Sequence, residues 1–411
     1  MEQAPLVGTS SPTAPESEAE RVSHYSAYQP WLQENPVPYW NELRDHAPVT
    51  WSEEFGGYWI LTRYADIEWA ARNPDVFSSA NPLIPHRDLF DEKQIPLQLD
   101  GEEHRLWRVT LADLFSPGAV NHFTPGIREA AADAVGKMAA QGGGDFVKDL
   151  AVRLPAETFL ITFGVDRSAL RDLLDYKDWF VREGLPRATS GAEIAEARRP
   201  LQEFFRKQIR LRRAEGTEGR RDVLSRLLES TFDGRPLTED EMVNATFVTM
   251  MASLDTTTSA LGLMFLYLAE HPDAQALITR SPERIPQIAE ELIRHEPVLT
   301  TARLVTRDVE RHGVTLRKGD HVLMSWGMSG LDPDAFDDPG AVDFDRRAIR
   351  QLAFGTGPHR CLGMHLARRI IHIALQEWHF RIPRYALAPG STPVHHYSAV
   401  RGLSRLELTA V

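Results

Sequence analysis

The stretch "FGTGPHRCLG", residues 354–363, holds the chain's only cysteine, Cys361, among three glycines, with His359 and Arg360 directly before it. A run with helical spacing, "LGMHLARRIIHIALQEW", follows at once. The sulfur is therefore expected at a helix N-terminus, where free N–H groups and the dipole favour a thiolate. Gly355, Gly357 and Gly363 let backbone pass close to something flat and bulky, or adopt positive φ. A thiolate in such a turn suits a soft metal centre. Two plainer readings stand beside it. A lone cysteine can be a small buried hydrophobe, or a nucleophile served by a histidine base; no recognisable base accompanies Cys361.

The bulk composition narrows the classes. The 411 residues are 42% hydrophobic and 25% charged, ordinary values for a globular protein. One cysteine forbids an internal disulfide and fits a reducing compartment. A net charge of -12 argues against a nucleic-acid binder. The N-terminus has no charged-then-apolar signal pattern and reads as a disordered leader over residues 1–20. The most hydrophobic later stretch, Met242–Leu268, carries Asp255 and a threonine run at its middle, which are costly in lipid. A membrane span is not expected, and the chain is expected to be cytoplasmic.

Outward from the cysteine, residues 21–411 read as one mainly α-helical domain with small sheets. "VTWSEEFGGYWILTRY" predicts a hairpin of Val49–Thr50 with Tyr58–Leu61. "YADIEWAARNP" predicts a short helix ended by Pro74. Residues 104–230 are mostly helical in pattern, with a turn at 141–145 and a loop at 183–192. A long helix is predicted from Thr238 to Glu270, about 45–50 Å at 1.5 Å per residue, and another over Ile285–His295. "RDVERHGVTLRKGDHVLMSW" reads as strand, turn, strand.

Three further clusters bear on chemistry. In "EELIRHEP", Glu291 and Arg294 share one helix face; alone, such a pair is common on solvated helices. In "MMASLDTTTSA", the hydroxyl of Thr256 can bond the carbonyl of Ala252 and loosen the helix there, and Asp255 in so apolar a stretch needs a partner. Buried threonines also back-bond with no further role. "HRLWR" puts His104 and Arg108 four apart on one face; each alone would be read as a surface residue.

Phe354-Gly355-x-Gly357-x-His359-x-Cys361-x-Gly363 resembles, without a gap, the haem-ligand signature of the cytochrome P-450 family. The resemblance implies that Cys361 is the axial thiolate ligand of the iron of haem b, with Phe354 and Gly363 completing the cofactor loop. It implies that His104, Arg108, Arg303 and His359 bind the haem propionates. Glu291 and Arg294 become a structural pair fixing the loop before the cysteine, joined by Arg346 or Arg347. Ala252, Ser253, Leu254, Asp255 and Thr256 match the family's O₂ groove, with Ser253 in place of the commoner glycine. Asp255 and Thr256 become an acid–alcohol pair that moves protons through water.

The similarity is to the camphor hydroxylase branch and is carried by "LDTT", "SPERIPQIAEELIRHEP", "HGVTLRKGDHVLMSWGMSGLD", "VDFDR" and "CLGMHLARR…LQEWHFRIP". It implies the triangular cytochrome P-450 fold, a monomer, and electrons from NADH through a flavin reductase and a [2Fe–2S] ferredoxin. No reductase module lies within these residues. The ferredoxin is expected on the cysteine side, near Arg108 and Arg360, with Arg350 and Arg368 as further contacts. The camphor enzyme's substrate-binding tyrosine has no counterpart, since no tyrosine lies between Tyr64 and Tyr176 and its place falls near Glu92–Gln94. A different small hydrophobic substrate is therefore expected, a terpenoid or ionone-type norisoprenoid. Val248, Met251, Ala252, Leu299, Ala399 and Val400 are the expected pocket, with one hydrogen bond from His86 or Gln94. Arg187 is expected to pair with Asp255 and gate the proton path, although it reads equally as a solvated loop residue. The expected activity is an O₂-dependent monooxygenase. An H₂O₂-driven peroxygenase and a haem-thiolate sensor are the alternatives.

Overall fold

The computed structural model describes residues 13–85, 92–181 and 190–411. The chain builds a helical body and a smaller sheet-bearing lobe, each with its own buried apolar cluster. The long helix runs unbroken from Glu239 to Glu270, 32 residues, as its spacing predicts. Its start is a capping box: Thr238 accepts from the Glu241 N–H, and the Glu241 carboxylate accepts from the Thr238 N–H. It is buried nearly all round, which explains its weak amphipathic pattern.

The five-stranded sheet has the order Val49–Ser52, Tyr58–Leu61, His321–Ser325, Thr300–Val305, Phe77–Ser78. His321–Ser325 runs parallel to Tyr58–Leu61 and antiparallel to Thr300–Val305, with Val322 opposite Arg303. The predicted hairpin forms, Val49 opposite Leu61. Its turn needs glycine at 57, where φ is +97° and a Cβ would lie 2.1 Å from the Trp51 ring. The helix Tyr64–Arg72 stops before Pro74 as expected.

Several expectations need correction. The leader does not extend to residue 20, because Ser17 caps a helix over Glu18–Ser23; residues 1–12 lie outside the described residues. The turn at 141–145 contains a strand, Gly143–Asp145, paired with Glu407–Thr409. The loop at 183–192 ends early, because Ser190 caps a helix that begins at Gly191. "RDVERHGVTLRKGDHVLMSW" forms three strands: Val309–Arg311 and Val314–Leu316 pair across a His312–Gly313 turn of positive φ, and His321–Ser325 joins the main sheet. No helix among the described residues is long and apolar enough to cross a membrane.

Candidate active site

Cys361 sits where the local sequence predicts, three residues before the start of the helix Met364–Arg381. Its N–H donates to the Phe354 carbonyl (2.8 Å), closing the loop. Gly355 and Gly357 both take positive φ, and a Cβ on Gly357 would lie 2.4 Å from the Ala71 carbonyl oxygen. The side chain is open to solvent, yet enough protein surrounds it that desolvation pushes the thiol up. The Gly363 N–H and the charges of Arg108, Arg368 and Arg360 pull the other way. Those groups stabilise a thiolate once a metal supplies the main drive for deprotonation.

The predicted basic residues do converge. The rings of His104 and His359 stack with centroids 3.9 Å apart. His359 Nε2 lies 3.3 Å from an Asp100 carboxylate oxygen. Burial is the main cause that lowers His104, to about 4, and Arg303, to about 10; it also lowers Arg108 and His359. His359 and Arg108 add to the drop at His104. Arg303 Nη1 donates to the carbonyl of its neighbour Ala302 (2.7 Å). Neither Arg303 nor Arg108 makes an ion pair among the described residues. Buried Arg303 and His104 and half-buried His359 thus gather around one carboxylate, Asp100, which Ser78 and the Ser79 N–H already engage, and half-buried Arg108 adds a further charge beside the two histidines. Such a surplus of buried donors fits a dianionic ligand such as a pair of propionates.

The metal chemistry agrees. No group of three or more His, Cys, Asp or Glu among the described residues could hold a metal ion unaided. A metal at Cys361 must bring its other ligands with it, as a porphyrin does. The donor set therefore fits haem b.

Glu291 and Arg294 are fully buried and bonded twice, at 2.9 and 2.7 Å. Arg294 also donates to the carbonyls of Gly330, Pro339 and Ala341. The third basic residue is Arg346, whose Nε donates to Glu291 (3.1 Å). This network gathers residues 330–346 upstream of the cysteine loop. Phe354 lies under the Arg368 guanidinium, 4.4 Å from carbon to ring centroid. Arg368 is also paired with Glu290 and half-buried, so it is not a free surface cation. Arg350 and Arg360 are exposed.

On the long helix, Thr256 Oγ1 donates to the Ala252 carbonyl (2.7 Å), as predicted, while the helix stays continuous. The partner of Asp255 is one that sequence reasoning missed. Lys177, on the helix Leu170–Trp179, places Nζ 3.0 Å from Asp255 Oδ1 and 2.9 Å from Asp178. Burial lowers the Lys177 ammonium, but the two carboxylates outweigh it and raise it overall. Arg187 and His86 lie outside the described residues. "LLDYKDW" offered no local sign of the pair, since a lysine among acids reads as a solvated face.

Of the expected pocket residues, Leu299 and Val400 form a β-bridge. The Thr300 N–H donates to the Ala399 carbonyl (2.9 Å), so these three sit together. Val248, Met251 and Ala252 lie at helical spacing on the long helix, Val248 buried and Ala252 exposed. Gln94 is half-buried, whereas Glu92 is exposed.

The family model for cytochrome P450 matches residues 187–281 and 285–379. The probable cytochrome P450 127A1 of Sinorhizobium fredii is 31% identical over 86% of this chain and 83% of that protein. The cyclomarin C epoxidase CymV of Salinispora arenicola is 33% identical over 87% and 90%. The steroid C26-monooxygenase of Mycolicibacterium smegmatis is 29% identical over 83% of each. Among solved structures, cytochrome P450 CYP101C1 matches with a TM-score of 0.86 at 30% identity, covering 97% of this chain and 98% of that one. CYP109E1 from Bacillus megaterium in complex with corticosterone gives 0.81 at 27%, covering 92% and 98%.

Proposed function

This chain belongs to the cytochrome P450 family of haem-thiolate monooxygenases and binds haem b; on that footing we propose that it hydroxylates a small hydrophobic molecule, a terpenoid or ionone-type norisoprenoid. The observation that carries the reading is Asp255 beside Thr256 on the long helix, in a chain whose Cys361 loop and buried cations fit a haem. The cofactor, when bound through a thiolate, supplies oxygen activation and insertion into a C–H bond.

The chain's residues do the rest. Cys361 would hold the haem iron through its sulfur, steadied by the Gly363 N–H. Phe354 and Gly363 flank it in the cofactor loop. Arg108, Arg303, His104 and His359 would hold the propionates. Leu299, Ala399, Val400, Val248, Met251 and Ala252 orient the substrate by shape and exclude water, with few polar contacts. Asp255 takes a proton from solvent and passes it by water toward the Thr256 hydroxyl, which orients that water. While Asp255 is held by Lys177 the relay is closed, and it opens when the pair separates. Arg187 remains a second proposed partner.

Electrons come from NADH through a reductase and a [2Fe–2S] ferredoxin, which docks near Arg108 and the exposed Arg360. We place the enzyme in the cytoplasm as a monomer, with the chain from the Glu18–Ser23 helix onward as one haem domain. The test is reconstitution with NADH, reductase and ferredoxin on α- and β-ionone, camphor and testosterone. Oxygenated ionone as the main product supports the reading. Product from H₂O₂ alone favours a peroxygenase, and a spin-state response with no product under either supply favours a sensor. Preferential oxidation of testosterone would move the substrate to the steroid class named for one relative.

A further inference from the structure

The proposed chamber lies along the long helix at Val248, Met251 and Ala252, and the inference here rests on that assignment. One turn earlier on the same helix stands Asn244, buried to 8% exposure. Its Oδ1 accepts from the Ile95 N–H (3.0 Å), and its Nδ2 donates to the Lys93 carbonyl (3.0 Å). A side-chain amide here pairs with both polar groups of a passing backbone, as a neighbouring strand would. Residues 93–95 belong to no helix or strand. Their other ties are local: the Gln94 N–H donates to the Gln98 side chain, the Gln98 N–H returns to the Gln94 carbonyl, and Gln98 Nε2 reaches the Ala80 carbonyl. The Ile95 side chain packs on the helical core.

We propose that Asn244 is a positioning residue that sets the substrate specificity of this enzyme by pinning residues 93–95 against the long helix as one wall of the chamber. The physical argument is an asymmetry. A buried carboxamide is costly unless both ends are bonded, and here both ends are bonded only while residues 93–95 lie on the helix. Asn244 therefore penalises the open arrangement and holds half-buried Gln94 against the long helix. Specificity then comes from a wall fixed in position rather than from a polar contact to the ligand.

The test combines hydrogen exchange with spin-state titration of the holoenzyme. In the unaltered protein the Ile95 amide exchanges slowly compared with the Leu97 amide. Asn244→Leu removes both bonds, while Asn244→Asp keeps the acceptor for Ile95 and loses the donor to Lys93. Loss of one such bond speeds exchange of the Ile95 amide about tenfold in Asn244→Leu, with a smaller change in Asn244→Asp. The ratio of β-ionone to testosterone affinity falls by a similar factor in Asn244→Leu, while the ferrous–CO band stays in place. Fast Ile95 exchange in the unaltered protein overturns the proposal without any variant. So does an unchanged affinity ratio once the exchange has risen. If no hydrophobic ligand shifts the spin state of the unaltered protein, the chamber assignment itself fails, and the proposal fails with it.

Discussion

Replacing Lys177 by methionine removes the cation that holds Asp255 among the described residues. At 3.0 Å the gross attraction is about 5.5 kcal/mol for an effective dielectric of about 20. Much of that is cancelled. The Lys177 side chain is 9% exposed and its burial is costly, the Asp255 side chain is 33% exposed, and Asp178 at 2.9 Å competes for the same ammonium. A net bias of about 1–2 kcal/mol, between exposed and fully buried pairs, corresponds to a closed-to-open ratio of roughly 5–30. If the relay opens only when this pair separates, Lys177→Met raises the rate of the proton-delivery step by up to that factor. It also shrinks the solvent isotope effect on turnover. Asp255→Asn lowers the same rate by roughly 10²-fold or more, as loss of a proton-transfer group should. The assay is single-turnover product formation in H₂O and D₂O, starting from the reduced, substrate-bound enzyme. A fall for Lys177→Met as deep as that for Asp255→Asn would refute the gating argument and make Lys177 a working member of the relay.

Four further outcomes follow from the geometry. Thr256→Ala uncouples the enzyme: product per NADH drops about tenfold or more and H₂O₂ appears instead, and unchanged coupling removes Thr256 from the relay. Arg108→Ala weakens ferredoxin-dependent turnover more than substrate binding, read as a rise in the KM for ferredoxin at unchanged spin-state affinity; the reverse pattern would place Arg108 away from the docking face. Arg294→Met takes two donors from the buried Glu291, which keeps Arg346 and the Asp343 N–H, and removes the donor to three carbonyl oxygens, costing about 3–5 kcal/mol and lowering the Tm by about 3–6 °C, whereas a fall within error would make the network dispensable. Burial raises the Glu296 carboxyl, but the Arg401 charge and His295 hold it down to about 2. Its folded value lies below its ordinary one of 4.5, so its stabilisation is complete above that range and is lost as pH falls from about 4.5 towards 2. Arg401→Met flattens this part of the stability–pH curve in acid titration, and an unchanged slope would detach Glu296 from acid stability.

Much of this site is written locally in the chain. The cysteine loop is legible because its requirements are local: positive φ at Gly355 and Gly357, and a helix start just after the sulfur. The long helix is legible from its apolar run and from the Thr238–Glu241 box that opens it. Thr256 bonding back to Ala252 is likewise a four-residue event. The partners of these groups are not local. Lys177 reaches Asp255 across 78 residues, Asp100 meets His359 across 259, and Ile95 meets Asn244 across 149. Lys177 and Asp100 read in their own stretches as solvated or capping side chains, and Ile95 meets Asn244 through a backbone N–H that carries no sequence signal. The choice of Arg346 over Arg347 depends on how residues 337–346 wrap around Glu291. The sequence by itself determined which groups must be buried and therefore which needed partners. Tertiary packing decided which partners they have, because a charge or amide removed from water is satisfied by whichever group the fold carries to it, and chain-local periodicity holds no record of that meeting.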